Sequence, residues 1–174
     1  MKNLGEIEVM LKECGATDFF GTKKEVKELP NIIHNDEKIT HAISGFLKGN
    51  RWLIVSTNKR ILFLDKGMFF GLRQVEIPIN KINSIVYKKG LVLGEIEIWD
   101  GATRMKIERV NKKTLVPFIN AVNKSIDDIN KIQINNSQPT LSSADEILKF
   151  KNLLDQGILT KEEFEAKKKE LLGI

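Results

Sequence analysis

The sequence is poor in the residues that build covalent or metal-dependent chemistry. Its 174 residues hold one cysteine, Cys14, and two histidines, His34 and His41. A single thiol excludes an intramolecular disulfide framework and any cysteine-based metal cluster, and it fits a reducing compartment. Cys14 reads as an inert helix residue, and the histidines read as surface or satisfied side chains. No G-x-S-x-G or H-E-x-x-H string occurs. Gly67-x-x-x-Gly71 is not followed by Gly-Lys-Ser/Thr, so it is no phosphate loop. No catalytic residue, metal site or cofactor is expected, and the chain reads as non-enzymatic. Long hydrophobic runs are missing too. The longest span about five residues, against the roughly 18 that cross a bilayer, and the first residues lack the basic-then-apolar order of a signal peptide. The expectation is a cytoplasmic protein, with peripheral attachment at the inner face of the membrane as the alternative.

What is present is 41% hydrophobic and 29% charged residues, enough for one good core and a small second unit. Lysine outnumbers arginine 23 to 5, and Asn and Ile are frequent, which suggests an AT-rich genome such as that of a low-GC bacterium or a phage. The net charge of +5 is uneven: residues 36–132 carry 17 Lys and Arg against 10 acids, while residues 1–35 and 133–174 each come to −1. A middle segment at +7 is biased toward anionic partners, or simply presents a solvated lysine-rich surface.

Leu4, Ile7, Met10 and Leu11 share one face of a short helix ending at Gly15. Thr22-Lys23-Lys24-Glu25 has the spacing of a capping box, opening a second short helix that carries Val26 and Leu29 and ends before Pro30. Residues 1–35 thus read as a helical N-terminal extension packed on a β-domain. From Ile39 the period changes to that of strands. Residues 39–46 alternate, Lys48-Gly49-Asn50 supplies a turn, and Arg51-Trp52-Leu53-Ile54-Val55 is apolar and β-branched. After the Thr57-Asn58-Lys59 turn, 60–65 is a third strand with a solid apolar run. Residues 66–73 form a loop with Met68, Phe69 and Phe70 between two glycines and two cations. Gln74-Val75-Glu76-Ile77-Pro78 is a fourth strand ended by proline, and 82–87 is a fifth. Asp100-Gly101 between alternating segments is a type I′ hairpin signal. It predicts Trp99 opposite Ala102, Glu97 opposite Arg104 and Glu95 opposite Lys106. From Asn111, Leu115, Phe118, Ile119, Val122, Ile126 and Ile129 mark a helix of about four turns that tolerates Pro117 near its start. Residues 133–142 are polar, uncharged and contain Pro139, hence a linker. In 143–174, Ser143 with Glu146 and Thr160 with Glu163 open two helices, and Gly157 closes the first.

On these residues the segment 36–132 resembles the bacterial pleckstrin-homology-like families. The matches are Thr57-Asn58-Lys59-Arg60 before the apolar third strand, Ile79-Asn80-Lys81-Ile82-Asn83-Ser84-Ile85 before the fifth, and the late Asp100-Gly101 hairpin. The resemblance implies an α+β fold, a PH-like seven-stranded antiparallel barrel capped by a C-terminal helix. The Thr57–Arg60 turn itself reads as structural, with Asn58 tolerating left-handed geometry and side chains bonding local backbone. Residues 143–174 are similar to the SHOCT module through Leu148, Gly157-Ile158-Leu159-Thr160, Glu162-Glu163-Phe164 and Lys167-Lys168-Lys169-Glu170-Leu171-Leu172. That resemblance implies oligomerisation or partner binding. A two-helix hairpin of about 30 residues is too small to bury a core alone, so the face of Ile147, Phe150, Leu154, Phe164 and Leu171 is the candidate assembly surface.

The leading expectation is an interaction and assembly protein, its PH-like domain binding a protein partner and its C-terminal hairpin multimerising or docking. The alternative is an anionic membrane surface met by Lys48, Arg51, Lys66 and Arg73 with Met68, Phe69 and Phe70, each cation contributing roughly 1 kcal/mol. Phe69 and Phe70 are expected to fold back on the barrel or fill an oligomer interface rather than insert. Nucleic acid ranks third, because the charge suits it but a stacking array or recognition helix is lacking.

Overall fold

The computed structural model describes residues 2–17, 19, 21–67, 71–101, 103–136 and 143–173, with 132–136 described by their backbone alone. It divides into two compact units, 1–131 and 132–174.

The first unit is built on seven antiparallel strands: β1 (Ile39–Leu47), β2 (Asn50–Thr57), β3 (Arg60–Lys66), β4 (Leu72–Pro78), β5 (Ser84–Lys89), β6 (Leu93–Trp99) and β7 (Arg104–Asn111). They lie in the order β4-β3-β2-β1-β7-β6-β5. The sheet is not the closed barrel expected, since β4 and β5 are its two edges. The connection between them explains the opening. Pro78 has no N–H to continue a ladder, the Ile79 N–H turns back to the Lys59 carbonyl at 2.9 Å, and the Ile82 N–H closes a single 3₁₀ turn on Ile79 at 3.2 Å.

Two cores account for the two kinds of strand pattern. Ile54, Ile61 and Phe63 face one cluster with Ile96, Ile98, Ile107 and the C-terminal helix, while Leu53, Val55, Leu62 and Leu64 face a second cluster with the N-terminal helices. β2 and β3 are therefore covered on both faces, which is why they read as unbroken apolar runs. β6 and β7 are covered on one face and alternate, with Ile96, Ile98, Met105 and Ile107 inside and Glu95, Glu97, Arg104 and Lys106 outside.

The N-terminal helices are α1 (Leu4–Glu13), α2 (Lys23–Val26) and α3 (Leu29–Ile32). Ile7, Leu11, Val26 and Leu29 enter the second core, so this extension is packed on the sheet. α1 is opened by a capping box of Asn3 and Glu6. The expected box at Thr22 and Glu25 does not form. Thr22 makes no cap bond; its hydroxyl pairs with Ser44 of β1 at 2.7 Å, and the Glu25 carboxylate accepts the Lys66 N–H of β3 at 2.8 Å. Both side chains are buried, and tertiary partners have displaced the local ones. Pro30 sits in the first turn of α3 rather than after the end of a helix.

The β1–β2 turn forms where expected, and the β6–β7 turn departs from its expected geometry. The β1–β2 turn holds Lys48 at φ 51° and Gly49 at φ 83°, the left-handed pair of a type I′ hairpin. The β6–β7 connection is instead a four-residue loop. The Asp100 N–H donates to the Thr103 carbonyl at 3.2 Å and the Thr103 N–H to Asp100 Oδ1 at 3.0 Å. Trp99 consequently faces Arg104, not Ala102, and Glu97 faces Lys106. Ala102 lies outside the described residues. A slip of two residues preserves the faces, and the ion pairs survive as diagonals, Arg104 with Glu97 and Lys106 with Glu95 at 3.3 Å.

α4 (Lys112–Asn136) is opened by Asn111, whose Oδ1 accepts the Lys113 N–H at 2.9 Å. Leu115, Phe118, Ile119 and Val122 bury against the first core. At 25 residues it is longer than the four turns expected, and its end replaces the first part of the expected linker; 137–142 lie outside the described residues. Pro117 is inside the helix, which continues through it.

The second unit contains α5 (Ser143–Asp155) and α6 (Lys161–Leu172). Gly157 at φ 72° ends α5 in a Schellman arrangement: its N–H reaches the Leu154 carbonyl at 2.9 Å and the Ile158 N–H reaches Leu153 at 2.9 Å. Thr160 and Glu163 form the expected capping box of α6.

Candidate functional site

The Thr57–Arg60 turn is a clamp on the segment that leads into β1. Thr57 Oγ1 accepts the N–H groups of Lys59 at 3.1 Å and Arg60 at 3.0 Å, and its hydroxyl lies 2.8 Å from Glu37 Oε1. Asn58 exchanges two bonds with Lys38, its Oδ1 accepting the Lys38 N–H at 2.7 Å and its own N–H donating to the Lys38 carbonyl at 3.0 Å. Lys59 pairs with Asp36. Arg60 grips Glu37 through Nε and Nη2, each at 3.0 Å, and reaches the Ile32 carbonyl and Glu76. The Glu37 side chain is fully buried. Burial alone would raise its carboxyl, but the Arg60 guanidinium, the His34 N–H and the Thr57 hydroxyl outweigh it and hold the group below the ordinary Glu range. The turn is structural, with one amendment: Asn58 acts through its amide, and the non-glycine residues in the left-handed region are Lys48 and Arg109 among the described residues.

The antiparallel order brings the β1–β2 turn and the β3–β4 loop to one end of the sheet, so the candidate cations Lys48, Arg51, Lys66 and Arg73 come from neighbouring connections. Most of them are committed to the protein. Arg51 stacks over the Phe46 ring at 4.8 Å; Arg73 pairs with Asp65 and covers Trp52 at 5.3 Å; Lys66 pairs with Glu28. Lys48 is exposed on its turn. Gly67 and Gly71 close the loop by a 3.1 Å backbone bond. Met68, Phe69 and Phe70 lie outside the described residues.

The candidate assembly residues Ile147, Phe150, Leu154, Phe164 and Leu171 are all half-buried, as are Leu153 and Leu159. Neither α5 nor α6 holds a fully buried side chain. The five recur at spacings that place them on the inner stripes of the two helices.

The titratable groups offer little chemistry. Burial pushes the Cys14 thiol up, away from the thiolate. His34 is exposed, and His41 is buried on β1 with Nδ1 3.1 Å from the Ala42 carbonyl, its value lowered by burial. Among the described residues no three of His, Cys, Asp or Glu gather as metal ligands, and no helix is long and apolar enough to cross a membrane. Sequence reasoning passed over two features. Glu37 is the buried anchor of the clamp, and the tip of the β5–β6 hairpin exposes Leu91 and Val92. For the second, the Leu91-Val92-Leu93 run beside Lys88-Lys89-Gly90 was the signal.

Two family models match the chain, one in each unit. The family model described as Bacterial PH domain matches residues 33–124, and the model described as Short C-terminal domain matches residues 145–172. Among solved structures, the chain is similar to a DUF1696 family protein with a pleckstrin-homology domain from Shewanella loihica PV-4, at 20% identity and TM-score 0.42, covering 59% of this chain and 94% of that one. It is likewise similar to a pleckstrin homology domain from Shewanella amazonensis SB2B, at 20% identity and TM-score 0.43, covering 60% and 96%. No curated protein matches. Both matched domains are of typically non-catalytic kinds, and together they point to a binding or interaction role. Through residues 33–124 the chain belongs to the bacterial PH domain family, and it carries a short C-terminal domain behind that module.

Proposed function

We propose that this is a non-enzymatic interaction and assembly protein, in which the PH-like domain takes a protein partner and the C-terminal hairpin oligomerises or docks. The observation that carries the reading is the hairpin's unfinished core. Its apolar side chains, Ile147, Phe150, Leu154, Phe164 and Leu171, stand at helical spacing yet none is fully covered within the unit. A pair of helices with no buried residue gains too little apolar burial to offset the ordering of about 30 residues. Covering that face with another copy or a partner supplies the missing burial, at roughly 25 cal/mol per Å² of apolar surface.

Light scattering on the full chain, compared with Phe150→Asp/Phe164→Asp, tests this directly, together with pulldown of partners from the native host. Loss of an assembled species or of a bound protein in the variant supports the reading. A wild type that is monomeric across concentration and captures the same proteins as the variant sinks it.

A further inference from the structure

The β5–β6 hairpin turns at Gly90, whose N–H donates to the Leu93 carbonyl at 2.9 Å. The turn projects Leu91 and Val92 outward, 92% and 69% exposed, with Tyr87 and Leu93 close to half exposed behind them. The tip is anchored. The Lys112 N–H donates to the Val92 carbonyl at 3.2 Å and Lys112 Nζ reaches the Leu91 carbonyl at 3.4 Å, tying it to the start of α4. Lys88 and Lys89 lead into the tip from β5, and Lys112 and Lys113 open α4 beside it, all four exposed. None of the four pairs with an acidic side chain among the described residues, and the nearby acids Glu95 and Glu108 are both held by Lys106.

An anchored, convex apolar tip inside a collar of ammonium groups without acidic partners matches the layering of an anionic bilayer, with phosphates outermost and acyl chains just beneath. A protrusion suits a deformable headgroup layer, and long lysine stems can follow phosphates that hold no fixed position. We propose that the β5–β6 tip is a contact site for an anionic lipid surface, with Leu91 and Val92 entering the headgroup boundary and Lys88, Lys89, Lys112 and Lys113 meeting the phosphates. By the antiparallel order it lies at the opposite end of the strands from the β1–β2 turn and the β3–β4 loop, and it is independent of the C-terminal hairpin's role in assembly.

The test is sedimentation of the full chain with vesicles of phosphatidylglycerol and phosphatidylcholine, against phosphatidylcholine alone. Wild type pellets with the anionic vesicles only, and less so as salt rises. Leu91→Asp/Val92→Asp lowers the partition about tenfold or more, and removal of Lys88, Lys89 or Lys113, the collar lysines that do not also tie the tip to α4, lowers it about fivefold. These side chains are solvent-facing, so the thermal melt followed by circular dichroism stays that of wild type and separates lost binding from lost folding. Three results overturn the proposal: no pelleting of wild type, equal pelleting with both vesicle types, or tip and lysine variants that pellet like wild type. A tip variant that changes the mass in light scattering while its lipid partition is unchanged also overturns it, by making the tip a protein interface.

Discussion

Glu37 shows at the scale of one residue how a local motif acquires its meaning. The Thr57–Arg60 string is visible in the sequence, but its principal partner stands 20 residues before Thr57 and nothing in its own surroundings marks it. Removing the charge from a buried, bidentate pair leaves Arg60 with Glu76 as its acidic partner, so Glu37→Gln should cost about 3 kcal/mol in urea denaturation. Asn58→Ala, which strands the Lys38 N–H, should cost about 1 kcal/mol. The pH dependence follows from the signs. Glu37 is held below its unfolded value of about 4.3, so its stabilisation is complete above that pH and is lost as pH falls through the folded value. His41, lowered by burial, begins to withdraw stability earlier, as pH falls below about 6.5 and the unfolded chain takes up its proton. Stability measured from pH 8 to 3 should therefore decline in two stages, and Glu37→Gln should flatten the lower one. Thr22 and Thr160 make the complementary point. Both stand three residues before a glutamate. Thr160 caps its helix on the protein surface, whereas Thr22 and Glu25 are drawn into β1 and β3 because the second core covers them.

At the scale of elements, periodicity located the seven strands and the longer helices but not α3, which begins at Leu29 where the sequence reading ended a helix, and the other errors fell where turn chemistry or a helix end decided. The four-residue β6–β7 loop is stabilised by the Asp100 side chain on the Thr103 N–H, a bond that the Asp-Gly pair does not reveal. α4 outran its expected end because residues 130–136 contain neither glycine nor proline to stop it. Pro117 lies beyond the free donors of the first turn and leaves the Lys113 carbonyl without its i+4 donor. Pro117→Ala, on an exposed position, should stabilise the first unit by about 1 kcal/mol or more in a thermal melt. In the second unit, Thr160→Ala should weaken α6 by about 1 kcal/mol, read as faster hydrogen exchange of its first-turn amides.

At the scale of the whole molecule, the first unit depends on the meeting of β1 with β7. Gly45 sits where the strands approach: a Cβ there would stand 2.4 Å from Ile107 Cγ2 and 3.3 Å from the Glu108 carbonyl. Gly45→Ala should destabilise the unit by about 1–3 kcal/mol through overpacking, measured by urea denaturation, and a neutral result would mean that the joint can open without cost. The two units should also differ in protection. β2 and β3, buried on both faces, should exchange amide protons slowly, while α5 and α6 of the unassembled chain should exchange fast, as expected of helices without a buried side chain.

The sequence by itself determined the strand order along the chain, the longer helices, the two modules, the caps at α6 and Gly157, and the apolar stripes, because each is written in residues close together along the chain. Tertiary structure decided the rest. It left the sheet open between β4 and β5 and gave Thr22 and Glu25 to the strands. It made Glu37 the anchor of the Thr57–Arg60 turn, engaged three of the four cations singled out in the sequence, and left Leu91 and Val92 bare at the far end of the strands. These outcomes depend on which distant groups arrive within hydrogen-bond reach or cover a given face, and spacing along the chain carries no record of that.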